Sequence, residues 1–202
     1  MRTIFPTVIH EYESSNFNKI QRELIEYVYN EKRKDPVGEE KSNVGGWQSK
    51  PIFVRTPYSS RLPKEPNILS EFIIEEVVNY FTTNRILKSG VAFHFTNMWV
   101  NINKNGDYNL KHTHENSDLS GVFYLKVFKD CGNIVFDNPH SNVGEIRSYS
   151  SKLSQSFNLF SALEVDVKPG KFVIFPSSLV HKVQLSKSRE DRISSSFNIK
   201  LL

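Results

Sequence analysis

The chain has one cysteine, Cys131, in 202 residues. A single thiol can form neither an intramolecular disulfide nor a cysteine-based zinc site. No apolar run approaches the roughly 18 residues that a transmembrane helix needs, and the N-terminal segment lacks the apolar core and cleavage site of a signal peptide. These absences predict a soluble protein of a reducing cytosol, without membrane association.

The chain also lacks a strong excess of charge of one sign. Its 26 Lys and Arg stand against 22 Asp and Glu, so the net charge is +4. Because the two signs are interspersed, a nucleic-acid partner is possible but not favoured. Fifteen Phe and eight Tyr beside only two Met indicate an aromatic-rich core of sheets. Nothing in the composition indicates an oligomeric state.

Two segments, residues 16–34 and 66–84, carry the apolar periodicity of amphipathic helices. Ser14, Ser15 or Asn16 could cap the first helix, and Pro66 is placed near the first turn of the second. The stretch between them, residues 35–66, contains five prolines and little periodicity. We therefore expect it to be a long loop region.

From residue 91 onwards the pattern changes to short strands separated by turn signals. The predicted strands are 91–95, 98–103, 121–128, 133–137, 162–167, 171–176, 179–185 and 192–201. Two helices followed by strands, without βαβ alternation, predict an α+β, mainly β fold built on an antiparallel double sheet or barrel. We expect a single domain over residues 1–202, with a helical part at 1–90, a β core at 91–202 and an insertion or mobile loop at 138–160.

The stretch "NLKHTHENSDLSGVFYL", residues 109–125, contains His112 and His114. In an extended segment, side chains two residues apart point to the same face, so both imidazoles could bind one metal ion. A surface His-x-His in a loop would leave the same pattern. His181 lies in an apolar late strand, where it is either a third ligand or a core histidine with one hydrogen bond.

The last predicted strand has one polar face, formed by Arg192, Ser194, Ser196 and Asn198. This face either meets solvent or lines the interior of the barrel. In the interior, Arg192 would be a buried cation that needs an anion, and a cosubstrate carboxylate could pair with it through two hydrogen bonds.

Four stretches carry a family resemblance: "WVNINKNGDYNLKHTH", "LSGVFYL", "PGKFVIFPSSLVHKV" and "RISSSFNI", with "GGWQS" at residues 45–49 in addition. Their order is a His-x-His motif, a strand, Pro-Gly before another strand, and then a histidine followed after ten residues by Arg-x-Ser. The chain resembles the 2-oxoglutarate/Fe(II)-dependent oxygenases. More narrowly, it is similar to the small "putative 2OG-Fe(II) oxygenase" family of bacteria and phages.

The resemblance implies a double-stranded β-helix (jelly-roll) with the N-terminal helices packed on one sheet. It implies an enzyme that uses Fe(II), O2 and 2-oxoglutarate, releases succinate and CO2, and hydroxylates an unidentified small-molecule or peptide substrate. Its implied site residues are His112 and His181 as metal ligands, Arg192 and Ser194 at the distal carboxylate of 2-oxoglutarate, and Asn101, Asn103 and Tyr124 bordering the cosubstrate.

The chain departs from the superfamily at the third ligand, since His114 stands where a carboxylate is usual. Either His114 ligates, or Glu115 or Asp118 takes its place, or water completes a site with two protein ligands. The i, i+2 spacing favours His114, which predicts a centre held by His112, His114 and His181. Two alternatives remain open: a cupin-like metal enzyme that uses the histidines without 2-oxoglutarate, and a non-catalytic jelly-roll protein with a structural or binding role.

Overall fold

The computed structural model describes residues 7–55, 65–139 and 160–202. The insertion predicted at 138–160 therefore lies almost wholly outside the described residues. Within the described ranges, no helix is both long and apolar enough to cross a membrane.

Both predicted helices are present. Helix α1 spans Phe17–Lys34 after the N-cap Asn16, and helix α2 spans Ile68–Thr83. The side chain of Asn67 accepts hydrogen bonds from the backbone N–H groups of Leu69 and Ser70, and this capping box determines where α2 begins. Pro66 accordingly lies before the cap and outside the first turn.

In the described residues, twelve strands form two antiparallel sheets. The seven-stranded sheet contains β1 (His10–Glu13), β3 (Trp47–Gln48), β4 (Phe53–Val54), β5 (Phe93–Asn103), β7 (Leu119–Lys126), β10 (Lys171–Pro176) and β12 (Arg192–Leu201). The five-stranded sheet contains β2 (Asn43–Val44), β6 (Tyr108–His112), β8 (Ile134–Asp137), β9 (Ala162–Val165) and β11 (His181–Val183). The strand orders are β1-β10-β7-β12-β5-β3, with β4 also on β5, and β2-β6-β11-β8-β9. This arrangement is a jelly-roll.

The structure differs from the sequence prediction in several strand assignments. Strands β1 and β6 lie where the sequence predicted no strand. Strand β5 is continuous where two strands were expected, because Asn97 pairs with Asn198 of β12 and the strand passes through Thr96 as an irregularity in that pairing. Three two-residue strands, β2, β3 and β4, lie in the stretch expected to be a loop. They are too short to show a periodic pattern, and their conformation depends on pairing with β5 and β6.

The main core lies between the helices and the outer face of the seven-stranded sheet. It includes Leu24 from α1, Ile73 and Val77 from α2, and Val100 and Phe197 from the sheet, all fully buried. A second cluster fills the space between the two sheets. The mainly β jelly-roll with its helices packed on one sheet is thus confirmed. The inner face of the seven-stranded sheet is left to face the five-stranded sheet, and the polar residues of the sequence motifs lie there.

Candidate active site

Three histidines meet between the sheets. His112 is the last residue of β6 and pairs with His181, the first residue of β11. His114 follows two residues later, and its Nε2 lies 3.2 Å from Nε2 of His181. One potential ligand atom of each imidazole lies within 4.8 Å of those of the other two. The His-x-His spacing therefore directs both side chains to one place, although β6 ends at the first of them.

Backbone carbonyls orient two of the rings. Nδ1 of His112 lies 2.7 Å from the carbonyl oxygen of Leu110, and Nδ1 of His181 lies 2.8 Å from that of Leu179. If each Nδ1–H donates to its carbonyl, each Nε2 presents a lone pair to the cluster. His114 is held through its backbone, whose N–H donates to the carbonyl oxygen of Ser177 at 2.9 Å.

Burial keeps these imidazoles unprotonated. It lowers the pKa of His114 to about 3, with the neighbouring His181 and His112 as further causes. Burial, followed by the proximity of His112, lowers the pKa of His181 to about 4. The pKa of His112 is also lowered by burial. Without a metal, Nε2 of His114 and Nε2 of His181 can share a hydrogen bond. With a metal, each neutral imidazole can offer one lone pair to the same point, so these residues fit a metal ion.

Neither carboxylate considered as an alternative belongs to the imidazole cluster. Asp118 accepts hydrogen bonds from the backbone N–H of Leu201 at 2.8 Å and from Nζ of Lys200 at 3.1 Å, which fixes it at the end of β12. Glu115 is exposed at the mouth of the cavity. Within the described part of the chain, the group of potential metal ligands consists of the three imidazoles.

Arg192 is a buried cation without a carboxylate partner among the described residues. Its side chain donates to the carbonyl oxygen of Gly132 and to Oδ1 of Asn103, both at 2.9 Å. Its Nε is buried and makes no hydrogen bond. Burial lowers the pKa of the guanidinium, whereas nearby Tyr124 opposes this effect. A buried guanidinium with an unused donor is suited to an anion, and the carboxylate of 2-oxoglutarate is such an anion.

The other predicted cosubstrate residues form a row across three strands. Ser194 of β12 pairs with Asn101 of β5 on one side and with Tyr124 of β7 on the other. Directly paired residues of an antiparallel sheet point to the same face, so these side chains lie side by side. All three line one cavity of 770 Å³ together with Arg192 and the three histidines. Asn103 does not line this cavity, and lies behind Arg192 as its hydrogen-bond acceptor.

Several cavity residues were not anticipated from the sequence. Gln48 pairs with Asn101 and extends the row. The ring of Trp99 lies 5.6 Å from that of His114, measured between centroids. Trp99 could have been found from the period-two pattern of β5, and Gln48 from the "GGWQS" motif. Trp47 of the same motif is instead buried in the main core, where its Nε1 donates to the carbonyl oxygen of Asp35.

Fold and site together define a jelly-roll protein with an imidazole cluster and a buried arginine in one cavity. Residues 97–198, about half of the chain, match the family described as "Putative 2OG-Fe(II) oxygenase". The chain belongs to this family, which confirms the resemblance noted in its motifs. It is a 2-oxoglutarate- and Fe(II)-dependent dioxygenase that consumes O2, and its substrate is not identified by the family.

Solved structures show the same fold. The prolyl-4-hydroxylase of Pseudomonas putida has a TM-score of 0.62 at 13% identity, over 95% of this chain and 92% of its own. The carbocyclase SnoK from nogalamycin biosynthesis has a TM-score of 0.60 at 14% identity, over 96% and 79%. HygX of Streptomyces hygroscopicus, solved with nickel and 2-oxoglutarate bound, has a TM-score of 0.56 at 10% identity, over 96% and 82%. A comparison with curated proteins found no match.

Proposed function

We propose that this oxidoreductase is a hydroxylase of a peptide or small-molecule substrate, with Fe(II) held by His112, His114 and His181. The convergence of three unprotonated imidazoles within one cavity carries this proposal. When bound, the metal supplies the activation of O2 that is coupled to the oxidation of 2-oxoglutarate to succinate and CO2. A structural neighbour named as a prolyl hydroxylase supports the hydroxylase type.

Arg192 binds the distal carboxylate of 2-oxoglutarate in this proposal. Gly132 and Asn103 hold the guanidinium in place, and their two hydrogen bonds leave its other N–H donors for the ligand in the cavity that Arg192 lines. Burial raises the pKa of Tyr124, so its hydroxyl keeps its proton and can donate a second hydrogen bond. Ser194, which lies between Tyr124 and Asn101 in the row, offers a hydroxyl to the same carboxylate.

Aromatic side chains limit the access of water to the imidazoles. The ring of Phe175 lies 4.7 Å from that of His181, and the ring of Phe136 lies 5.9 Å from it. A site shielded in this way strengthens the electrostatic attraction between its residues and bound anions, and protects reactive species from solvent.

We also propose that residues 1–202 form a single oxygenase domain in a reducing, cytosolic compartment. Strands β1, β3 and β4, from residues 1–90, pair with strands of residues 91–202 within one sheet, which supports a single domain. The compartment stays a prediction from the single cysteine.

Metal analysis and succinate production test the function. We expect purified protein to bind about one Fe(II) and to form succinate from 2-oxoglutarate, and His181→Ala to lose both properties. His10→Ala is the matched control, because His10 packs against Tyr80 and Phe81, outside the cavity. Metal binding without succinate would favour the cupin-like alternative. Protein that binds no metal would favour the non-catalytic alternative.

A further inference from the structure

The inner face of the seven-stranded sheet continues beyond the residues assigned to the cosubstrate. Past the row that contains Ser194, Ser196 pairs with Trp99, and Asn198 then pairs with Asn97. On its other side, Asn198 pairs with Ser120 of β7. Because β12 begins at Arg192, these rows extend progressively away from the guanidinium. We call Asn97, Trp99, Ser196 and Asn198 the distal floor; all four line the cavity.

A chain of hydrogen bonds orients the amide of Asn97. The hydroxyl of Ser120 donates to Oδ1 of Asn198 at 2.7 Å, and Nδ2 of Asn198 donates to Oδ1 of Asn97 at 2.9 Å. The hydroxyl of Thr96 also donates to Oδ1 of Asn97, at 3.2 Å. Both lone pairs of this oxygen are therefore used, and Nδ2 of Asn97 is left with no hydrogen bond to a described residue. The cavity is thus offered a donor at this point.

Trp99 supplies an apolar surface beside that donor. It is half-buried, and its ring is tilted by 33° against the ring of His114. Because that imidazole belongs to the metal cluster, a group packed on Trp99 lies close to the reactive centre. A flat or aliphatic group would bury apolar area on the indole.

The distal floor carries no charged side chain. Besides Arg192, four charged residues line the same cavity elsewhere, and none of them is buried: Glu39, Lys41, Lys111 and Glu115. An ionised substrate group on the distal floor would lose hydration without an opposite charge from the floor itself, whereas an uncharged polar group needs only hydrogen-bond partners. A carboxamide meets this requirement. Its carbonyl oxygen accepts from Nδ2 of Asn97, and its N–H can donate to Oγ of Ser196, which otherwise accepts one long bond of 3.4 Å from Asn101.

We propose that the distal floor is the substrate subsite, and that it binds an uncharged amide group whose apolar neighbour packs on Trp99. This inference rests on the proposed function, since it places the amide beside the group that is oxidised. The amide can belong to a peptide or to a small molecule, because the recognised chemistry is the same in both.

Saturation-transfer NMR of the Zn(II)- and 2-oxoglutarate-loaded protein tests the subsite. The probes are N-methylbenzamide as a small amide, N-acetyltrialanine amide as a peptide, and benzoate and benzylammonium as charged analogues of the first. We expect at least one amide to bind and both charged analogues to bind more weakly. Binding of the peptide alone or of N-methylbenzamide alone tells which source of amide the site accepts.

Asn97→Asp is the diagnostic variant. It keeps an oxygen for Asn198 and Thr96 but removes the donors that face the cavity, so the Kd of the amide probe should rise about tenfold or more. Asn105→Asp adds the same charge on an exposed turn and should leave that Kd unchanged. If Asn97→Asp does not fold, Trp99→Leu replaces it, with the same expected loss.

Three results would overturn the subsite: neither amide binds, a charged analogue binds more tightly, or the amide Kd is unchanged in the variant. Titration of 2-oxoglutarate into the same wild-type sample separates this failure from a wider one. If 2-oxoglutarate binds and the amides do not, only the subsite is wrong. If 2-oxoglutarate itself does not bind, the proposed function is wrong.

Discussion

Replacing Arg192 by methionine removes a buried cation while keeping much of the side-chain volume. In the free protein the guanidinium has two neutral acceptors, on Gly132 and Asn103, and no carboxylate among the described residues. The variant loses these two hydrogen bonds, at a cost of about 1–3 kcal/mol for each buried acceptor left unpaired. It also avoids the cost of burying a charge, which is several kcal/mol. We therefore expect only a small change in the stability of the ligand-free protein.

The binding of 2-oxoglutarate should change much more. Removing one partner of a buried, hydrogen-bonded charge pair costs about 2–5 kcal/mol, which corresponds to a roughly 30- to 5,000-fold higher Kd. Calorimetric titration of the Ni(II)-loaded protein measures this Kd. Thermal unfolding gives a second measurement. A ligand at about 100 times its Kd stabilises the wild type by about 2.7 kcal/mol, or about 5–11 °C for a chain of this size, and a 30-fold weaker ligand by less than about 1 kcal/mol.

Arg189→Met is the matched control, since it removes the same charge from an exposed position of the same chain. It should bind 2-oxoglutarate as the wild type does. Metal content should be unaffected in both variants, because Arg192 donates to Gly132 and Asn103 and not to the histidines. Wild-type affinity for 2-oxoglutarate in Arg192→Met would refute the assignment of this residue to the cosubstrate.

Three further predictions concern the histidines and a helix cap. His114→Ala should weaken metal binding at least about tenfold, whereas His114→Asp should largely retain it, because a carboxylate is also a metal ligand. Equilibrium dialysis measures this binding, and equal metal retention by the two variants would exclude ligation by residue 114. The metal-free protein should lose stability as the pH falls from about 6.5 towards 4. In the folded state the pKa is lowered to about 3 for His114 and to about 4 for His181, whereas the unfolded state takes up protons at ordinary histidine pKa values. Urea midpoints that stay constant over this range would contradict the lowered pKa values. Asn67→Ala should lower the free energy of unfolding by about 1–2 kcal/mol through loss of the cap. Asn16→Ala should lower it by less, since the Asn16 side chain makes no cap hydrogen bond. Equal urea midpoints for the two variants would contradict this difference.

Much of the fold follows from local patterns in the sequence. The apolar periodicity of α1 and α2 places their buried faces, and the alternation in β12 separates Arg192, Ser194, Ser196 and Asn198 from its core face. The short strands β2, β3 and β4 could not be predicted in this way. Two residues do not define a period, and their extended conformation depends on backbone partners in β5 and β6.

The residue types and their spacing specify which chemistry is available: two histidines at a spacing that lets both reach one metal, a third in a late strand, and an arginine eleven positions beyond it. How these groups are used depends on the fold. The close approach of His114 and His181 joins residues 67 positions apart, and the hydrogen bonds of Arg192 join residues 60 and 89 positions apart. A polar strand face looks the same in sequence whether it meets water or a cavity. It becomes a binding surface here because the second sheet folds over it and removes the water that would otherwise satisfy its charge and its hydrogen bonds.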